Sequence, residues 1–480
     1  MMRPDHVRKI NKATNAMHNQ VAIAVKDPFR PQYHFLPPAS WMNDPNGTIF
    51  YRGEYHLFYQ HNPYQPAWGK MQWGHAKSTD LVHWDHLPIA LVPDGFPGEV
   101  QCWSGCCVIA PDGTPTIFYT SMNAPALLTH AERFSQQWIA TSDTGMLAWE
   151  KSARNPILHD RKSHPAGFIP RQWRDPYIFR EGDDWYMVLG GREPAEAYGC
   201  VFLYRSHDLY NWDYRGVLST YRVAPRKSIE CANYFPLDGK YVLLVSPYTQ
   251  VSFSIGDFVN DQHSAQDWYV FDHSLQYYAT NTYQDDHGRT IVVGWIRANG
   301  SSGWAGCLSL PRVVRLDMDN CLRIEPIKEL EVLRTAHRHA EYDLDLLSEQ
   351  KMGDAFVGNC VEIQAQYDLQ NAGVVGFKLI DDQQIHLISY DVHKNIFQAV
   401  NEIAALQFPQ EQRLSLRIFI DRSVFEIFIN GRETFSTTIY PELADDHQLK
   451  IVPFVENVNG HASLDFWNMR SINLDRLGAT

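Results

Sequence analysis

The chain has 480 residues, 44% hydrophobic and 20% charged, with 14 Trp, 24 Tyr and a formal net charge of -13. Its length exceeds one ordinary core and predicts about two to three domains of a globular protein. The acidic balance argues against nucleic acid and membrane partners, which need a basic patch, and favours a neutral small molecule; homo-oligomerisation stays open.

In chain order, Val7, Ile10, Ala13, Met17, Val21 and Ala24 recur at steps of three and four, which predicts an amphipathic helix over residues 5 to 25. The only apolar run before Lys26 is Val21-Ala22-Ile23-Ala24-Val25, shorter than the roughly 7 residues of a secretory h-region. No segment approaches the roughly 18 apolar residues that cross a bilayer, so a cytoplasmic location is expected. Pro28, Pro31, Pro37 and Pro38 end helical structure.

From Gly47 onward the pattern changes to short aromatic-rich strands cut by Gly and Asp turns. A turn glycine followed by an apolar strand recurs at Gly53, Gly113, Gly182, Gly239 and Gly288, at intervals of 60, 69, 57 and 49 residues. A second element keeps phase with it: Ser78 to Trp84, Ser142 to Trp149 and Ser206 to Trp212. Five such repeats predict an all-β, five-bladed propeller. Seven to ten residues ahead of each turn glycine lie Asp44, Trp103-Ser104, Arg174-Asp175, Glu230 and Tyr278-Ala279. Equivalent positions in a propeller face one axial funnel, so Asp44, Asp175 and Glu230 are expected around a single pocket.

Residues 327 to 345 read as a short helical linker, and beyond it strands alternate again, with an Asn430-Gly431 hairpin turn. A C-terminal β-sandwich is expected there. The domain boundaries are therefore 1–31 for the helix and its tail, 32–326 for the propeller, 327–345 for the linker and 346–480 for the sandwich. The eight Cys form no C-x-x-C pair; reduced core thiols are expected, with no disulfide framework, metal site or cofactor.

Three acids with Trp around them point to glycoside chemistry, in which one carboxylate attacks the anomeric carbon and another acts as acid and then base. Asp44, between Asn43 and Asn46, is expected to stay ionised as nucleophile. Glu230, in Ser228-Ile229-Glu230-Cys231-Ala232, has uncharged neighbours that would raise its pKa and suit a general acid. Asp175, beside Arg174, is expected to stay charged and bind sugar hydroxyls.

The stretches Trp41-Met42-Asn43-Asp44-Pro45-Asn46-Gly47, Arg174-Asp175-Pro176 and Glu230-Cys231 resemble the signature motifs of the family 32 glycoside hydrolases, the β-fructofuranosidases that include invertase and sucrose-6-phosphate hydrolase. The likeness extends to His34-Phe35, Phe58 to Pro63, Trp73 to Ala76, Trp103-Ser104-Gly105, Gly294-Trp295, Leu308 to Arg312 and Asp421-Arg422-Ser423. Cys106 and Cys107 depart from it. The resemblance implies the same fold, a retaining hydrolase of sucrose, sucrose-6-phosphate or short fructans, Asp44 as nucleophile, Glu230 as acid/base and Asp175 as transition-state stabiliser. It also implies a fructose site formed by Trp41, Met42, Asn43, Gln60, Trp68, Trp103, Ser104, Arg174 and Trp295. The alternatives are fructosyl transfer on the same fold, a related propeller acting on arabinans, and a non-catalytic sugar-binding propeller. For a phosphorylated sugar, Lys70, Arg171 and Arg192 are the candidate cations.

Overall fold

The structure is a computed structural model; it describes residues 4–472 except 94, 96–97, 124–134, 144, 160–162, 166–170, 194–197, 226, 266, 301, 345–354, 372, 383, 409–412 and 442–447. The N-terminal helix spans Pro4–Ala24 and buries His6, Ile10, Ala13, Met17 and Ala24. Val7, expected on that face, is 37% exposed, so the buried stripe is narrower than the apolar periodicity implies. Ile10 and Ala13 pack on Ile89 and Val92 of the first repeat, and Met17 and Ala24 join the largest core.

Each repeat is an antiparallel meander. The first comprises Ser40–Tyr51, Glu54–Asn62, Gln72–Ser78 and Asp85–Leu91; the third comprises Arg171–Glu181, Asp184–Arg192, Tyr198–Ser206 and Asp213–Pro225. The five phased glycines all join a first strand to a second with positive φ, at 83, 84, 60, 83 and 72°. A Cβ there would meet nothing within 4 Å, so the backbone conformation alone selects glycine. The second repeated element is a turn in which Leu81, Met146 and Leu209 take positive φ. In each turn the following tryptophan, Trp84, Trp149 or Trp212, donates its indole N–H to that residue's carbonyl at 3.0 to 3.2 Å.

The first strands Ser40–Tyr51, Gln101–Ile109, Arg171–Glu181, Glu230–Leu237 and Tyr277–Gln284 touch in cyclic order, the last contacting the first. A parallel pairing of Ser40 and Trp41 with Trp304 and Ala305 fuses the first and last repeats into one nine-stranded sheet. This closure leaves fewer sheet edges open for pairing.

The C-terminal part is a sandwich of two six-stranded antiparallel sheets. Inward residues of both, among them Ile363, Phe377, Ile418 and Phe435, form a separate core. Asn430 and Gly431 take φ of 50 and 59°, as the hairpin turn requires. The expected linker proves shorter: a 3-10 helix covers Lys328–Leu333, and Arg334–Asp343 is already a sandwich strand paired with Gly460–Met469. Five of its exposed residues, His337, Arg338, His339, Glu341 and Asp343, are charged or His, which hid its strand character in the sequence.

The two parts meet across a buried polar network. Asp421 accepts the backbone N–H of Gln32, Tyr33 and His34 at 2.6, 2.8 and 2.9 Å, and His34 Nδ1 at 2.8 Å. His34 Nε2 lies 3.0 Å from Glu426, and Arg312 binds Glu426 at 2.7 Å and Asp272 at 2.9 Å. These five side chains are 0% exposed. Burial opposes a charge on His34, but hydrogen bonds to Asp421 and Glu426 outweigh it and raise its pKa from 6.5 to about 9.

Because the folded value lies above the unfolded one, the histidine's contribution is fully present below about pH 6.5 and is lost as pH rises through about 9. Chemical denaturation across that window should therefore show stability falling with pH in the parent. His34→Gln should be about 3–5 kcal/mol less stable at pH 6 and lose that component of the slope. A parent whose stability is flat from pH 6.5 to 9 would mean that His34 is buried neutral.

Candidate active site

Where the repeats converge, every first strand is irregular. Its register with the second strand breaks between Met42 and Pro45, Cys102 and Gly105, Arg174 and Tyr177, Glu230 and Asn233, and Tyr278 and Asn281. Such bulges re-aim side chains that a flat pleat would send to alternating faces. Asp175, Cys231 and Ala279 sit in them with φ of 61, 46 and 47°, a conformation that costs free energy outside glycine and concentrates at functional sites. The result is a cavity of about 330 Å³ lined by Asp44, Asp175 and Glu230 with Asn43, Gln60, Trp68, Trp103, Ser104, Arg174, Tyr248, Tyr278, Trp295 and Arg297.

Asp44 is half-buried, its Oδ1 accepting from Asn43 Nδ2 at 2.9 Å and its Oδ2 from the Ser104 hydroxyl. Trp41 Nε1 donates to Asn43 Oδ1 at 2.7 Å and so fixes which way that amide points. Asn46, the other amide of the motif, is fully buried and turns to nearby backbone instead of to Asp44. Asp175 is buried; its N–H donates to Thr120 Oγ1 at 2.9 Å, and its Oδ2 accepts the Cys231 N–H at 3.0 Å. The Cys231 sulfur lies 3.5 Å from Asp44 and 3.7 Å from Asp175, between the two acids. Glu230 accepts from the Tyr278 hydroxyl at 2.7 Å and the Tyr248 hydroxyl at 2.8 Å, and pairs with Arg174. Arg174 also lies 3.7 Å from Asp175 through Nε, and its guanidinium carbon is 5.6 Å from the Trp103 ring centre.

The electrostatics run against two expectations, those for Asp175 and Glu230. Burial raises the Asp44 pKa, with hydrogen bonds from Ser104 and Asn43 opposing it and the Glu230 charge adding to it. Burial raises Asp175 to about 7; Arg174 opposes the rise, and the charges of Glu230 and Asp44 add to it. Burial would raise Glu230 too, but the Arg174 charge and hydrogen bonds from Tyr278, Arg174 and Tyr248 hold it below the ordinary range. The uncharged sequence neighbours of Glu230 misled because its spatial neighbours lie far along the chain, Arg174 and Tyr278 in other repeats and Tyr248 in a later turn of its own repeat.

Most residues expected at the fructose site do line the cavity, Trp68 at its rim with 55% exposure. Two do not. Met42 is 0% exposed within the main core, because alternation sends it away from Asn43, and Trp41 stands behind Asn43 against the Trp295 ring. Lys70 lies over the Tyr64 ring and neither it nor Arg192 lines the cavity; the Arg171 side chain lies outside the described residues. Tyr248 and Arg297 were not anticipated. Tyr248 occupies a turn after Lys240–Ser246 and Arg297 the end of Thr290–Asn299, where no motif marks them, whereas the repeat phase did mark Tyr278. All eight cysteines are free thiols, and Cys106 and Cys107 are buried in the cores behind the Ser104 wall. Among the described residues no group of three or more His, Cys, Asp or Glu is disposed to hold a metal ion, and no helix is long and apolar enough to cross a membrane.

Comparison with known proteins follows the same division of the chain. The family models described as "Glycosyl hydrolases family 32 N-terminal domain" and "Glycosyl hydrolases family 32 C terminal" match residues 34–326 and 329–468. A sucrose-6-phosphate hydrolase of Zymomonas mobilis is 30% identical, over 98% of this chain and 98% of its own. One of Escherichia coli is 33% identical, over 86% of this chain and 90% of its own. Among solved structures, a variant of the Bombyx mori β-fructofuranosidase in complex with sucrose superposes with a TM-score of 0.81 at 26% identity, covering 97% of this chain and 99% of that one.

One glycine sets the spacing between two of the acids' strands. Gly190 pairs with Arg174, and a Cβ on it would stand 2.4 Å from the Ile229 carbonyl oxygen and 3.3 Å from the Glu230 nitrogen. Gly190→Ala should therefore cost about 1–3 kcal/mol in urea unfolding through overpacking against rigid backbone, and a crystal structure should show Glu230 drawn off Arg174. Parent-like stability with an unmoved Glu230 would mean that the two strands separate at no cost.

Proposed function

The chain belongs to glycoside hydrolase family 32, and on that footing we propose that it is a retaining β-fructofuranosidase that releases terminal β-D-fructofuranosyl residues from sucrose, sucrose-6-phosphate or short fructans. The observation that carries this reading is the convergence of Asp44, Asp175 and Glu230, from three different repeats, on one sugar-sized cavity with tryptophan at its wall and rim. A cytoplasmic location belongs to the same reading and is supported by eight free thiols.

Asp44, held by Asn43 and Ser104, attacks the anomeric carbon and forms a covalent fructosyl intermediate. Glu230 protonates the departing oxygen and then, as a base, activates the water that releases fructose. Asp175 binds sugar hydroxyls, an interaction that strengthens as positive charge develops on the ring. Arg174 and two phenols stabilise the Glu230 anion. A bound fructose whose hydroxyls engage Arg174 weakens that hold and lets Glu230 take up its proton. Non-catalytic binding is disfavoured by the presence of all three acids; transfer to a sugar acceptor differs only in what replaces water, which product analysis resolves.

A second assignment has a specific observation behind it: Asp175, raised to about 7, is well suited to hold a proton at neutral pH. Leaving-group dependence separates the two. Glu230→Gln should slow sucrose by about 100-fold or more while an aryl fructoside, whose leaving group needs little protonation, is slowed much less. Asp175→Asn should slow both alike, and Asp44→Asn should abolish turnover of both with the fold intact. If the differential loss appears in Asp175→Asn instead, the acid role passes to Asp175. Product analysis on sucrose, sucrose-6-phosphate, inulin and levan tests the activity itself, and absence of fructose from all four would overturn it.

A further inference from the structure

The cavity wall beside Glu230 differs in charge from the rest. If Glu230 is the acid, the departing sugar lies on its side of the cavity, where the wall is made by Tyr278 and Tyr248. Arg297 lines the cavity here, its guanidinium carbon 4.5 Å from the Tyr278 ring centre and 5.2 Å from that of Trp295. Lys227 is exposed, with Nζ 5.9 Å from the Tyr248 ring centre. Among the described residues the Arg297 side chain makes one hydrogen bond, from Nη1 to the Leu275 carbonyl at 2.9 Å, and neither cation enters an ion pair. Arg174, by contrast, is committed to Glu230 and Asp175.

We propose that Arg297, with Lys227 as a weaker partner, recognises a phosphomonoester on the leaving hexose and so directs the enzyme to a phosphorylated disaccharide. This rests on the reading of Glu230 as the acid. A chain of net charge -13 with three carboxyls in its cavity repels a phosphate dianion unless cations near the leaving group offset them. A guanidinium suits such recognition, because it stays charged, its fork matches two phosphate oxygens, and packing on two aromatic rings limits the freedom it loses on binding. The cation that serves this role is thus neither Lys70 nor Arg192, which the order of motifs had suggested, because Lys70 lies on Tyr64 and neither contributes to the cavity wall.

The test is steady-state kinetics on sucrose and sucrose-6-phosphate with the full-length parent, Arg297→Gln, Arg297→Lys and Lys227→Gln, all checked for native circular dichroism. The parent should favour sucrose-6-phosphate in kcat/KM by about tenfold or more, and the preference should shrink as KCl is raised, as charge recognition at a partly open site requires. Arg297→Gln should reduce the ratio of the two kcat/KM values about tenfold, chiefly through KM for the phosphorylated substrate; Arg297→Lys should keep part of it, and Lys227→Gln should lower it less. A parent with no preference, or an Arg297→Gln variant with an unchanged ratio, would overturn the proposal while sucrose cleavage still upheld the hydrolase reading. A parent that cleaves neither sugar would overturn both.

Discussion

Three carboxyl groups around one small cavity repel one another, and a single guanidinium, Arg174, reaches two of them. It pairs with Glu230 and approaches Asp175 to 3.7 Å. Without that charge the desolvated cavity would favour protonating all three acids; with it, Glu230 is held below the ordinary range, while at Asp175 it offsets only part of the burial, which still raises that acid to about 7. Arg174 can do this because the bulges on either side of it turn it and Asp175 toward the axis together. The strained backbone at Asp175, Cys231 and Ala279 is thus part of the same arrangement as the charge distribution it supports.

Closure of the ring is what makes such an arrangement stiff. Each acid stands near the start of a strand whose partners lie in the same meander, while part of its hydrogen bonding comes from neighbouring repeats: Ser104 donates to Asp44, the Cys231 N–H donates to Asp175, whose own N–H is accepted by Thr120, and Tyr278 donates to Glu230. Displacing one repeat would disturb two acids at once. The sandwich adds to this from below. His34, Asp272, Arg312, Asp421 and Glu426 form a fully buried polar network that ties the segment ahead of the first repeat, the last repeat with the segment leading into it, and the sandwich together. Breaking one member of such a network leaves an uncompensated buried charge, which is far costlier than the network's net gain.

That network also accounts for motifs that catalysis leaves unexplained. His34-Phe35, Leu308 to Arg312 and Asp421-Arg422-Ser423 are separated by more than a hundred residues each, and they meet between the two parts, with Ser423 Oγ donating to the Phe29 carbonyl at 2.8 Å. The chemistry of these residues is structural. The cavity separates the two groups: the network side chains are 0% exposed and line no part of it, whereas Asp44, Asp175 and Glu230 all face it.

The order of residues alone dictates what depends on local geometry and on period. Turn glycines at Gly53, Gly113, Gly182, Gly239 and Gly288 were legible because only glycine takes their positive φ cheaply, and their spacing supplied the phase that places Asp44, Asp175 and Glu230 together. The environment of those acids was not legible in the same way. Glu230 has uncharged chain neighbours yet lies against Arg174 and Tyr278, 56 and 48 residues away, and a pKa answers to distance in space. Met42 stands between two residues of one motif and faces the core, since alternation overrides motif membership. Tyr248 and Arg297 reach the cavity from a turn and a strand end, positions that carry no periodic signal, and only the packing of the fourth and fifth repeats brings both beside Glu230.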